Sequence, residues 1–193
     1  MVRLREFDEN EALDAAMRLF WEKGYEATSL TDLTTRMGIQ KPSLYSAFGD
    51  KKRLFEAALR RYTQHHAARV RALLQSRDSV KQAFRLLFES VAAPRDDGGT
   101  ERGCFCINTM VELAPHDPAF EVLTREHQMY LTALFRETIE RGVRSGELRS
   151  DTDAQSVAET LVVSLIGLTV LMKSRPDRTF VDRSVRVVLG LLA

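Results

Sequence analysis

A chain of 193 residues with 44% hydrophobic and 28% charged side chains has the make-up of a folded protein with a buried core, which excludes a disordered polyelectrolyte. A net charge of +1 excludes a nucleic-acid footprint spread over the whole chain, so any phosphate affinity must be local. Two cysteines, Cys104 and Cys106, are too few and too close together for a disulfide framework and fit a reducing cytoplasm.

The first ten residues alternate Arg, Glu and Asp with single apolar side chains, which is not the pattern of a signal peptide. A first helix is expected over Glu9 to Lys23, with Leu13, Ala16, Met17, Phe20 and Trp21 as its buried stripe and Gly24 after it. Ser29 with Asp32 three residues on resembles a capping box, and opens a short helix that carries Leu30, Leu33 and Met37 inward and stops at Gly38. Pro42 in a first turn starts another short helix that ends at Gly49-Asp50. A long amphipathic helix follows from Lys51, with Leu54, Phe55, Ala58, Leu59 and Tyr62 on its apolar side.

Asp78-Ser79 caps a further helix, and the stretch from Pro94 to Arg102 reads as a loop. A short helix near Cys104 to Ala114 is followed by a break at Pro115 to Pro118 and a long helix from about Ala119 to Gly142. Asp153 caps a strongly apolar helix to about Lys173, and a last helix starts near Phe180. The most apolar stretch of the chain, Leu161 to Met172, is shorter than the ~20 residues that span a bilayer, so a soluble cytoplasmic protein with no membrane partner is expected. No strand pattern occurs. The expected fold is all-α: a three-helix, helix-turn-helix domain over residues 1–55, joined by a long helix to an all-helical domain over 56–193.

Two short helices around Gly38, behind a supporting first helix, describe a helix-turn-helix. Leu33, Met37, Ile39, Leu44 and Phe48 must bury each other, which turns Gln40, Lys41, Ser43 and one side of Tyr45 outward. That leading end of the second helix is what such a unit places in the major groove. Charge agrees: between Arg36 and Arg53 lie Arg36, Lys41, Lys51, Lys52 and Arg53 against Asp50 alone.

Residues 12 to 59 resemble the DNA-binding domain of TetR/AcrR-family transcriptional regulators. The resemblance rests on L-F-x-x-x-G-Y at Leu19 to Tyr25, Thr28-Ser29, the M-G-I turn at Met37 to Ile39, S-L-Y at Ser43 to Tyr45, and F-x-x-K-x-x-L-F at Phe48 to Phe55. It implies that Thr28, Ser29 and Thr31 approach the DNA backbone, that Gln40, Lys41 and Ser43 read base edges, and that Tyr45 and Lys51 hold phosphates, with Ser46 beside them. The chain departs from the pattern in opening its recognition helix with Gln40, where many members have Ser.

The same resemblance implies a C-terminal effector cavity and a homodimer built through the last two helices, acting on a double-stranded operator. Phe84, Phe88, Phe105, Met110, Met129 and Phe135 are candidates to line that cavity, although aromatics at helical spacing more often pack as core. Cys104 and Cys106 offer an alternative trigger, a thiol that senses oxidants or electrophiles. One of the pair is expected to face the core, and at helical spacing the two thiols point about 200° apart, so they are not expected to chelate a metal together. The four histidines form no ligand pattern and read as solvated or satisfied. No Gly-rich phosphate loop, H-E-x-x-H or nucleophile elbow occurs, so neither a cofactor, a metal nor an enzyme is expected.

Overall fold

Capping side chains mark where the helices begin. A computed structural model describes residues 7–93 and 102–193 of the chain. Asp8 accepts from the N–H groups of Asn10 and Glu11 and opens α1 (Glu9–Lys23). Ser29 and Asp32 form a reciprocal capping box at α2 (Leu30–Met37), and Pro42 sits in the first turn of α3 (Lys41–Phe48). The carboxylate of Asp50 accepts from the N–H of Arg53 at 2.8 Å where α4 (Lys51–Gln75) starts. Ser79 caps α5 (Val80–Ala92), and α6 (Phe105–Glu112) follows Cys104. Asp117, Asp153 and Asp177 then cap α7 (Pro118–Arg144), α8 (Ala154–Met172) and α9 (Arg178–Leu189), and a 3-10 turn, Gly190–Leu192, ends the chain. No strand occurs among the described residues, as expected of an all-α fold. Apart from Arg102, the loop expected over 94–102 lies outside the described residues.

The chain divides within α4 into two units, Met1–Gln64 and His65–Ala193. In the first, Ala12, Ala16, Leu19 and Phe20 of α1 are buried, while Leu13, Met17 and Trp21 are only half-buried. The stripe is therefore rotated toward Leu19 from the one expected. The cause is aromatic packing: Phe20 meets the ring of Phe55 edge-on at 4.8 Å, and Tyr25 meets the same ring at 5.1 Å. Arg61 of α4 forms a two-pronged ion pair with Asp14 of α1, its Nη2 donating to Oδ2 at 2.9 Å.

The turn between α2 and α3 is a Schellman motif. Gly38 is left-handed (φ 67°), its N–H reaches the carbonyl of Thr35 at 3.3 Å, and the Ile39 N–H reaches that of Thr34 at 3.1 Å. The motif drops Ile39 into the core and fixes the angle at which α3 leaves. An L side chain at position 38 would cost about 1–2 kcal/mol from backbone strain alone.

In the second unit, residues from α4, α5, α7, α8, α9 and the final turn share one apolar core that includes Leu74, Phe84, Phe88, Phe135, Ile139 and Leu161. Two oppositely charged side chains at the end of α7 hold the connection from α4 to α5. The Arg141 guanidinium donates to the carbonyls of Leu74, Arg77 and Asp78 at 2.9, 3.3 and 3.0 Å, satisfying groups left over where α4 ends. The Glu147 carboxylate accepts from the Ser79 hydroxyl and from the N–H groups of Val80 and Lys81 at 2.6, 2.7 and 3.0 Å, capping α5. Gly142 lies between them because a Cβ there would stand 2.8 Å from the side chain of Leu148.

Burial raises the Glu147 pKa, but its three donors outweigh that and leave it below the usual value of 4.5. Its contribution is thus present above the unfolded pKa and lost as pH falls through the folded one. We expect Glu147→Gln to cost about 1–2 kcal/mol at pH 7 and to flatten the loss of stability below pH 4.5, measured by urea unfolding across a pH series.

The apolar helix runs from its Asp153 cap over Ala154–Met172, as expected, and its apolar window is longer than the Leu161–Met172 run. At 19 residues and a mean hydropathy of 1.7, α8 is long and apolar enough by length and composition to cross a membrane. Its buried residues, Ala158, Leu161, Val162, Leu165 and Leu168, pack in the core. Its other side leaves Val163 and Val170 exposed, at 65% and 46%, and α9 leaves Phe180 and Val187 exposed at 53% and 76%.

Candidate DNA-reading face and helical-domain cavity

Leu44 of α3 is fully buried, which turns the opposite side of this helix out. Gln40, Lys41, Tyr45 and Ser46 are exposed there, and Ser43 is half-buried at its edge. Gln40 occupies the N-cap position, yet its side chain makes no capping bond. The helix end therefore presents an amide, an ammonium and a phenol beside backbone N–H groups, a set suited to base edges and phosphates.

The flanking residues differ in what they can offer. Thr31 is exposed, as expected. Thr28 is a correction: its side chain is fully buried and its hydroxyl donates to the carbonyl of Gly24 at 2.6 Å, so it cannot present that hydroxyl to DNA. Ser29 is exposed but engaged, donating to Asp32 Oδ2 at 2.9 Å within the capping box. The Lys51 ammonium stands over the Tyr25 ring, 4.3 Å from its centroid, at the start of α4. The local positive surplus shrinks too, since Arg36 is paired with Glu22 at 2.9 Å.

The second unit encloses a cavity of about 50 Å³ among α4 to α8. Of the six side chains expected to line it, only Met110 does. Phe84, Phe88, Phe105 and Phe135 are buried in packing, Phe84 meeting Phe135 edge-on at 5.1 Å, and Met129 is 63% exposed. Cys104 and Cys106 both line the cavity and both are buried. Helical spacing does not govern the pair, because Cys104 is the extended N-cap residue of α6. Burial, with the Cys104 thiol adding to it, pushes the Cys106 thiol well above its usual pKa, so it stays protonated.

The polar feature that sequence reasoning missed is a histidine pair. His66 Nδ1 and His127 Nε2 lie 3.0 Å apart in the cavity wall, one ring donating and the other accepting. Burial pushes His66 down to about 3, helped by His127 and Arg69, and pushes His127 down to about 4. Both rings are therefore neutral near pH 7. The signal was present in the spacing: His66 continues Tyr62, Val70 and Leu74 at steps of four, and His127 falls between Leu123 and Leu131. Next to the pair, the Arg71 guanidinium donates to the Tyr130 hydroxyl at 2.7 Å, a further polar tie between α4 and α7 beside that of Arg141 to the Leu74 carbonyl. Among the described residues no cluster of three or more His, Cys, Asp or Glu side chains is placed to hold a metal ion.

A helix-turn-helix with an outward recognition helix, followed by a helical unit around a cavity, defines the class of DNA-binding transcriptional regulators. Residues 12–58 match the family described as bacterial regulatory proteins, tetR family, and residues 80–188 match the tetracyclin repressor-like C-terminal domain. The chain belongs to the TetR family, which consists of DNA-binding regulators and not of enzymes. It is 34% identical over 193 residues to the uncharacterized HTH-type transcriptional regulator YezE of Bacillus subtilis, covering 100% of both chains. It is 36% identical over 170 residues to the HTH-type transcriptional repressor ComR of Escherichia coli, covering 87% of this chain and 80% of ComR. Among solved structures, a cysteine mutant of the TetR-family regulator CifR, complexed with 26-bp double-strand operator DNA, is similar at TM-score 0.85 and 35% identity over 99% of this chain and 100% of that one.

Proposed function

We propose that this regulator is a repressor that binds a near-palindromic operator as a homodimer and is released by a small molecule entering the cavity of its helical unit. The observation that carries the DNA-reading half is the pairing of a fully buried Leu44 with exposed Gln40, Lys41, Tyr45 and Ser46 on one short helix. Thr31 and Lys51 flank that face and are assigned to phosphates, with Ser43 at its edge. The apolar outer sides of α8 and α9 support a second copy of the chain as the partner, because Val163, Val170, Phe180 and Val187 are poorly placed in water. Repression is supported by the relative ComR, which is named a repressor. A thiol trigger through Cys104 is the weaker reading, since that side chain is buried.

Release follows from a shift of population: a ligand that favours one arrangement of the helical unit biases the long helix α4, which begins directly after α3. The test is selection of binding sites from random DNA with the purified full chain. Inverted half-sites about one turn, ~34 Å, apart are expected. Selected sequences without any inverted repeat would overturn the dimeric reading, and failure to enrich any sequence would overturn the regulator reading.

A further inference from the structure

The wall of the cavity carries a charge that nothing described in it balances. Arg69 of α4 and Gln128 of α7 line the cavity from its exposed rim, beside His66 and His127 respectively. Both imidazoles are neutral near pH 7, so among the described lining residues Arg69 is the cation, and no carboxylate lines the cavity with it. Its charge reaches into the site, since it helps to hold His66 in the neutral form. Behind the rim the wall turns apolar and buried, through Val70, Leu87, Leu131, Val162 and Leu165. The hydroxyls there are committed as donors: Thr124 to the carbonyl of Phe120 at 2.8 Å, Thr169 to that of Leu165 at 2.7 Å, and Ser90 to that of Leu87 at 2.7 Å. A positive, hydrated rim over an apolar interior is the complement of an amphiphilic anion.

We infer that the effector is a short-chain organic monocarboxylate, whose apolar tail enters between these side chains and whose carboxylate stays at the rim, accepting from the Arg69 guanidinium and the Gln128 amide. The inference deepens the ligand-release reading and rests on it. One guanidinium balances one negative charge, and its planar fork matches the two oxygens of a carboxylate. A phosphate monoester carries nearly twice that charge and would remain uncompensated. Because the rim is exposed, the head group keeps part of its hydration and the cost of burying an ion is avoided. Size restricts the tail. A single water occupies about 10–15 Å³ on the same scale, so a cavity of about 50 Å³ admits only a few carbons. Arg69 and Gln128 belong to different helices, so an anion held by both adds a bridge from α4 to α7 and connects ligand uptake to the helix that follows α3.

The experiment is a titration of the full chain with butyrate, butyramide and butylamine at constant ionic strength, followed by the methyl resonances of Met110 and Leu131. Saturable shifts are expected with butyrate, at a concentration about fivefold lower than with its neutral amide, and none with the amine. Arg69→Gln is expected to weaken butyrate about fivefold and to leave butyramide unchanged, while Arg69→Lys restores part of the difference. Arg69 is exposed, so neither variant disturbs the core. Methyl resonances unmoved by butyrate, butylamine acting as well as butyrate, or butyrate indifferent to Arg69→Gln would overturn the inference. Operator binding by the same samples separates the failures. Any of these results with operator binding intact removes only the ligand class, and absent operator binding removes the regulator reading beneath it. Saturation by butyrate with operator affinity unmoved removes the release reading.

Discussion

Lys41→Ala is expected to weaken operator binding by about thirtyfold, because in the proposed homodimer each of two recognition helices loses a contact worth about 1 kcal/mol. Lys41 is the first residue of α3 and is exposed, and with Leu44 buried behind it the helix cannot turn the ammonium inward without emptying the core. Fluorescence anisotropy over a salt series distinguishes its role. A phosphate contact lowers the slope of log affinity against log salt by about 0.9 per copy and weakens all DNA alike. A base-edge contact leaves the slope nearly unchanged and relaxes preference at one operator position. Unchanged operator affinity would remove Lys41 from the interface.

Phe135→Ala is expected to cost the helical unit about 3–5 kcal/mol, the usual loss for emptying a buried phenylalanine site. Phe135 is fully buried and packs edge-on against Phe84, so the cavity left behind has rigid walls. Met129→Ala, at a side chain 63% exposed, is expected to fall within about 0.5 kcal/mol of wild type. Guanidinium unfolding of both variants separates core from surface among the residues that sequence pattern had grouped as cavity lining. Equal stabilities for the two variants would overturn this assignment.

That contrast shows which information the chain carries in one dimension. Helix starts were legible where a cap is local: Ser29, Ser79 and Asp153 each act on N–H groups within three residues. The recognition helix was legible for the same reason, since Gly38, Leu44 and Tyr45 fix its start, its buried side and its outward side within a dozen residues. The cavity was not, because its walls come from five helices spread over a hundred positions, and helical spacing marks a residue as inward without saying whether it meets a neighbour or a space. Phe84 and Phe88 met neighbours; Met110 met the space. Thr28 was misplaced because its hydroxyl finds a backbone carbonyl four residues back, a competition that no motif displays.

The clasp at the end of α7 also sets a rule of polarity. Arg141 faces carbonyls where one helix finishes, and Glu147 faces amides where the next begins. Their signs are dictated by the direction in which the polypeptide runs and not by each other, so this couple is not an ion pair whose members trade places. Exchanging the two charges would set each against a backbone end of its own sign, and the hairpin would repel both.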